Sequence, residues 1–386
     1  QVAGQPLVGR ALFKLLISPA ELLAGFIFLI DCNLGDVVKR TMLLAAYDAV
    51  ESLASLSSRV ESRFRSDKKR TLKSAPVVGH NGFRYRVHSD WGIPDEPSRY
   101  PVKDCHEMVV DSLGRIVLLT NHQKNNILIY NADGQIVDSW TLGFRSAHGL
   151  SLIHEQGRDV LFICDYRSQS VVKTDMNGNI LMRLPTAGEL GIYEEPYKYL
   201  PTGTAIASNG DIYVADGYGA SFVIQFDRHG DYIRHFGGRG KKPEHINQAH
   251  GIAIDGRSGV ETVLVSSREN TCFKRYSLTG EYLSSIELHG AYVCRPVVHE
   301  ENIYAGVCWS GKLFRPNSGF VTILDKSDRV VSNPGGSEPF YENGKLKSIR
   351  QHGSLFKHCH DVCLDAAGNI YVCQWNAQGA YPIKLE

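Results

Sequence analysis

Residues 360–374 read HDVCLDAAGNIYVCQ: an apolar strand, a polar turn containing a glycine, and a second apolar strand. The same pattern recurs along the chain. HEMVVDSLGRIVLLTN begins at His106, HGLSLIHEQGRDVLFICD at His148, TGTAIASNGDIYVAD at Thr202, HGIAIDGRSGVETVLVSS at His250 and RPVVHEENIYAGVC at Arg295. A third strand and turn follow in most units, as in NILIYNADGQIVDSW and FVIQFDRHGDYIRHF. Short apolar runs bounded by turn residues read as strands. Units spaced roughly 40 to 65 residues apart read as propeller blades. One such sheet cannot bury both of its faces, but radial stacking of about six buries them all and hides most strand edges. The expected fold is therefore all-β, a six-bladed β-propeller over residues 76–386. The last unit stops at YPIKLE with no sequence left for its outer strand. The segment 82–92, GFRYRVHSDWG, is expected to supply it and close the ring across the termini. The insertions 186–201 and 331–355 are expected to be loops at the rims.

Working outward, residues 1–75 form a separate region, an α-helical N-terminal extension followed by a basic linker. Ser18-Pro19-Ala20-Glu21 reads as a helix start, with serine as cap and proline in the first turn. A second helix is expected from about Gly35 to Phe64, because Leu43, Tyr47, Val50, Leu53 and Val60 recur at helical spacing. The run Leu15–Ile30 is strongly apolar, but it contains Pro19 and Glu21 and is shorter than the ~20 residues of a spanning helix. A buried or interfacial helix is expected in preference to a span. Apolar stripes must be covered. The extension is expected to pack on another copy, another protein or a membrane surface, with membrane association through residues 11–31. Its contact would centre on Phe26-Ile27-Phe28-Leu29-Ile30, and an intrachain cap on the propeller rim is the alternative. Arg63, Arg65, Lys68, Lys69, Arg70 and Lys73 make a solvated linker or meet an acidic partner or lipid headgroup. No cleavable signal is visible, and the compartment is left open.

The chain has 386 residues and a net charge of +1, which gives no global field favouring nucleic acid. With 37 glycines and 10% aromatics it suits many short strands joined by tight turns. Its nine cysteines are an odd number, and several, such as Cys164 and Cys373, sit in apolar runs as small buried hydrophobes.

Equivalent positions on the inner strands of a propeller converge on its axis. The units begin with His106, His148, Thr202, His250, Arg295 and His360. Four histidines at one repeat position point to a divalent metal, with a solvated polar lining as the alternative. Three neutral imidazoles with an open fourth position are a zinc arrangement.

These residues resemble the NHL-repeat propellers, and among them the peptidyl-α-hydroxyglycine α-amidating lyases. The resemblance covers most of residues 100–386. AHGLSL, QAHGIAI and CHDVCLDAAGNIYV are similar to the segments bearing that family's zinc histidines, which implies zinc on His148, His250 and His360. It further implies a structural Ca2+ on Asp361, with backbone carbonyls of Met108 and Leu150. VADGYGASFVIQF is similar to the segment of the catalytic tyrosine and SRENTCFKRY to that of an active-site arginine, implying Tyr218 and Arg268. The chain departs from the family in its first blade, where LLTNHQKNN places Asn121 or His122 at an arginine position, with Lys124 close by. His106 is an additional histidine, and Gly219 and Leu264 stand where blade cysteines would be.

The expected function is that of a metal-dependent lyase acting on an α-hydroxyglycine-type (carbinolamide) or related α-hydroxy acid substrate, small molecule or peptide. Tyr218 would take the hydroxyl proton, and Arg268, with Arg295 or Lys124, would hold a carboxylate. The alternative is a non-catalytic propeller, a binding or assembly scaffold, in which His106 joins the shell of a structural metal. A sugar-acid lactonase is a third reading, against which the inner-strand positions lack acidic residues.

Overall fold

The computed structural model describes residues 75–194, 197–311 and 317–386. The expected N-terminal helices, their contacts and most of the basic linker lie outside the described residues. Among the described residues no helix is long and apolar enough to cross a membrane.

Six antiparallel sheets follow one another along the chain. Their inner strands are Cys105–Val110, Ala147–Glu155, Gly203–Ile206, Ala249–Asp255, Ala291–His299 and Cys359–Leu364. Blades 1 to 6 are numbered from these strands. Blades 1 to 5 are four-stranded meanders. Each inner strand contacts the inner strands of both neighbouring blades, blade 6 with blade 1 included, so the ring is closed.

The closure joins the two ends of the described chain. Phe83–His88 pairs with the last strand, Ile383–Leu385, through Val87–Leu385 and His88–Lys384. The expected outer strand of blade 6 is therefore present. Val77–His80 pairs beyond it as a fifth strand, which was not anticipated.

The hairpins follow from one local device. Asp111 accepts from the backbone N–H of Leu113 and Arg115, at 3.0 and 2.8 Å. Asp175, Asp227 and Asp365 do the same in their turns. A glycine in the left-handed region ends most of these turns, as Gly368 does at φ 82°. In blade 5 the glycine is replaced by Asp328 at φ 58°. Its carboxylate is held by Arg257 at 2.7 Å and Arg275 at 2.9 Å, which offsets the backbone cost.

Six apolar clusters fill the spaces between successive blades. The one between blades 6 and 1 joins Met108, Leu118 and Leu128 to Cys363, Tyr371 and Cys373. This stacking removes both faces of each sheet from water, as the periodicity requires. All eight described cysteines are buried and unpaired, consistent with their reading as small core residues. The insertion 186–201 carries a short helix, Ala187–Leu190, and 331–355 carries the hairpin Tyr341–Glu342 with Lys345–Leu346.

Candidate metal centre

Five of the six inner strands, all but that of blade 3, enter the sheet through a bulge, and the register identifies the residue displaced toward the axis. In blade 1, Cys105 pairs with Thr120 and Glu107 with Leu119, leaving His106 between them. Blades 2 and 6 repeat this around His148 and His360. In blade 4 the flanking pairs are Ala249–Ser267 and Ile252–Val265; in blade 5 they are Val293–Val307 and Pro296–Ala305. His250 is thus equivalent to Cys294, and Gly251 to Arg295. The ring at the mouth is His106, His148, Thr202, His250, Cys294 and His360. Arg295, expected in this ring, belongs one layer deeper. The slip arose because a bulge adds a residue without breaking the apolar pattern on either side; the match of CRPVV to HGIAI was the available signal.

The four imidazoles form a compact group, each at most 3% exposed. The rings of His148, His250 and His360 lie at mutual centroid distances of 4.8 Å. His106 lies 5.0 Å from His148 and 4.8 Å from His360. His148 donates from Nδ1 to the Thr202 carbonyl at 2.7 Å, and His360 from Nδ1 to the His106 carbonyl at 2.8 Å. Each bond runs to the ring position of the next blade and leaves Nε2 as the lone-pair nitrogen. Thr202 turns its hydroxyl to backbone carbonyls, at 2.9 Å from that of Ala249, and is not available as a ligand.

His106 and His250 have both ring nitrogens buried without a hydrogen-bond partner. Such orphaned nitrogens carry a desolvation cost that a bound cation would offset. Burial, together with the Arg268 charge, holds His148 neutral by lowering its pKa to about 3, although its bond to Thr202 opposes the shift. Burial likewise pushes His106, His250 and His360 well below the ordinary value. Neutral imidazole is the form that binds metal. Ligand atoms converge most closely in two trios sharing His360: His106–His148–His360 and His250–Cys294–His360, each within 4.8 Å. The residues fit a divalent ion. The expected trio His148–His250–His360 is brought together as rings, while its nitrogens are less tightly grouped than those of these two.

The layer beneath the ring corrects the calcium expectation. It consists of Glu107, Gly149, Gly203, Gly251, Arg295 and Asp361. Gly149 and Gly251 are required by close packing, since a Cβ would sit 2.6 Å from Gly203 Cα and 2.4 Å from Arg295 Cα respectively. The space at Gly251 is used by Arg295. Its Nη2 lies 2.6 Å from Asp361 Oδ2 and donates to the Met108 carbonyl at 2.7 Å. Glu107 lies 3.7 Å from Arg295 and accepts from the backbone N–H of Leu150 at 2.6 Å. The side-chain and carbonyl oxygens of Asp361 and Met108 that were expected on Ca2+ are thus held by a guanidinium, which stands where the calcium was expected. Arg295 is correspondingly not a substrate clamp. Burial raises the Glu107 pKa strongly, against the opposing charge of Arg295.

Loops leaving the second strands gather over the ring. Tyr218 donates its hydroxyl to His148 Nε2 at 3.0 Å. Tyr166 packs edge-on against Tyr218, with centroids 5.2 Å apart. The buried Arg268 guanidinium lies 5.9 Å from the Tyr218 ring centroid and 4.8 Å from that of Trp309, and its Nε donates to Gln248 at 2.7 Å. Tyr218 and Arg268 are therefore brought to the histidines, as expected. Lys124 is exposed on its loop, outside this buried group. Asn121 is tied to Asp104 by two bonds of 3.0 Å. Cys294, Tyr166 and Trp309 were not anticipated.

No family model matches the chain. It is 27% identical over 213 residues to a probable peptidyl-α-hydroxyglycine α-amidating lyase of Caenorhabditis elegans. The protein is a propeller resembling that lyase. The match spans 54% of this chain and 56% of the relative, about half the length of each. Among solved structures, a gluconolactonase of Xanthomonas campestris superposes with a TM-score of 0.53 at 12% identity, covering 83% of this chain and 99% of that one. A streptogramin B lyase does so with a TM-score of 0.50 at 12% identity, over 74% and 94%. These two show the fold alone.

Proposed function

We propose that the propeller is a metal-dependent lyase acting on an α-hydroxyglycine-type (carbinolamide) or related α-hydroxy acid substrate at the channel mouth. The observation that carries this is the Tyr218 hydroxyl, 3.0 Å from His148 Nε2 within a ring of neutral imidazoles. Similarity to the nematode lyase supports the same reading. His148, His250 and His360, with His106 beside them, would hold the ion, and zinc suits their donor set. When bound, a divalent ion supplies Lewis-acid polarisation of a substrate hydroxyl.

The chain's own residues do the remainder. With an ion on His148 in place of the Tyr218 bond, Tyr218 would act as its phenolate, receiving the hydroxyl proton as the carbon–nitrogen bond breaks and passing it to the departing amide nitrogen. The carbinol carbon becomes the carbonyl of glyoxylate, and the departing amide nitrogen takes up a proton, so the proton count is unchanged. Arg268 places a fixed cation over the mouth, where it can orient a carboxylate. The Tyr166 and Trp309 rings wall the mouth and exclude water. The direct test is glyoxylate release from a peptidyl-α-hydroxyglycine by the zinc-loaded protein. Release abolished by metal stripping and restored by zinc is expected; a loaded protein that releases none overturns the proposal.

A second reading is the non-catalytic scaffold with a structural metal. Two observations favour it. His106 makes the ring four-histidine, and Asn121, locked to Asp104, or His122 stands where the resemblance implies an arginine. In that reading the loaded protein binds metal and gains stability but releases no glyoxylate.

A further inference from the structure

We propose that the Cys294 thiolate is a ligand of the ring's metal, completing with His250 and His360 a mixed nitrogen–sulfur site. The inference rests on reading the ring as a metal centre, and not on the ring's being catalytic.

Four observations converge on it. Strand register makes Cys294 the blade 5 counterpart of His250, displaced toward the axis by an equivalent bulge. Its sulfur and nitrogens of His250 and His360 all lie within 4.8 Å of one another. His250 beside it is fully buried with both nitrogens lacking a hydrogen-bond partner, an orphaned donor set aimed into the same space. The Cys294 sulfur lies 3.8 Å from Cys359 O and also has hydrogen-bond contacts with Cys308 and the Arg268 guanidinium, and a cationic donor beside a sulfur favours the thiolate over the thiol.

Charge balance adds the physical reason. A divalent ion on the axis brings two positive charges into a buried site that already faces Arg268. The other ring positions are four imidazoles and a threonine, all neutral. Cys294 is the ring residue that can supply a negative charge, by releasing its thiol proton to solvent as the ion binds. Cys308 is its hydrogen-bond partner and would orient the sulfur as an outer-shell group. A thiolate also biases the site toward zinc and away from calcium and magnesium, which favour oxygen donors.

The test is zinc K-edge X-ray absorption on the zinc-loaded full chain. The expected spectrum contains a sulfur shell at about 2.3 Å in addition to nitrogen at about 2.0–2.1 Å. Cys294→Ser should lose the sulfur shell, keep the nitrogen shell, and weaken zinc affinity by more than the roughly 10–100-fold typical of an outer-shell loss. Cys308→Ser should keep both shells. Bound zinc with only nitrogen and oxygen neighbours would overturn the role of Cys294 and leave the histidine site standing. A sulfur shell surviving in Cys294→Ser would also overturn it. A chain that binds no zinc removes both readings at once. The wild-type spectrum decides the matter even if the Cys294 variant does not fold.

Discussion

At the scale of single residues, chemistry concentrates where a side chain is both buried and aimed at the axis. Tyr218 bonds His148 and so couples the mouth loop to the ring. Tyr218→Phe should keep the metal and the fold but lower the rate of glyoxylate release by about 10²–10⁴-fold, the usual share of a general acid–base group. A variant that retains the full rate, measured with equal metal content, would remove Tyr218 from the chemistry. The histidines also set an acid limit. Burial pushes the His148 pKa down to about 3 in the folded chain, from an ordinary value of 6.5. The unfolded chain therefore takes up the proton first, and stability of the metal-free protein falls as pH drops from about 6.5 toward 3. Melting temperature followed across that range should decline. A flat profile, or one rising toward acid, contradicts the buried neutral ring. The four ring histidines were legible in the sequence, because each opens a repeat and three are followed by a glycine or aspartate at a fixed place. Cys294 was not legible, because the register that identifies it depends on a bulge.

The inner strand is the element that organises the site. In five of the six blades its bulge sends one residue to the mouth and the next to the layer below, so a single strand feeds two rings of different chemistry. In the lower ring, Arg295 bridges Asp361 and the Met108 carbonyl, packed against Gly251 where a Cβ would not fit. Calcium was expected there because the segment around Asp361 resembles the lyase family's calcium-bearing segment, a local feature. The arginine that takes the cation's place comes from another blade, 66 residues away in sequence, so local motif reading could not see it. Replacing Arg295 with alanine leaves Asp361 buried without its partner, which costs about 3–5 kcal/mol for a broken buried pair. Chemical denaturation should show that loss. Calcium or a calcium chelator should leave the wild-type midpoint unchanged, and a calcium-dependent midpoint would restore the calcium site.

For the whole molecule, the repeat count and the closure were the most legible features, since six copies of one pattern have few ways to hide their edges. Closure joins Phe83–His88 to Ile383–Leu385, so residues near both ends of the described chain hold blade 6 together. Deleting residues 1–74 should leave a folded propeller with its thermal transition intact. Extending the deletion through His88 removes two strands of blade 6 and should abolish or sharply lower that transition. Equal transitions for the two deletions would contradict closure across the ends. All six blades also deliver their inner strands to one axis, and the account depends on what that convergence holds. The most direct measurement is the divalent-metal content of the full chain after zinc loading and exhaustive desalting. One tightly held ion per chain is expected, lost when His250 and His360 are both changed to alanine in a propeller that still folds. A wild-type chain that retains no ion, or a double variant that retains it undiminished, would contradict the central claim that the histidine ring is a metal centre.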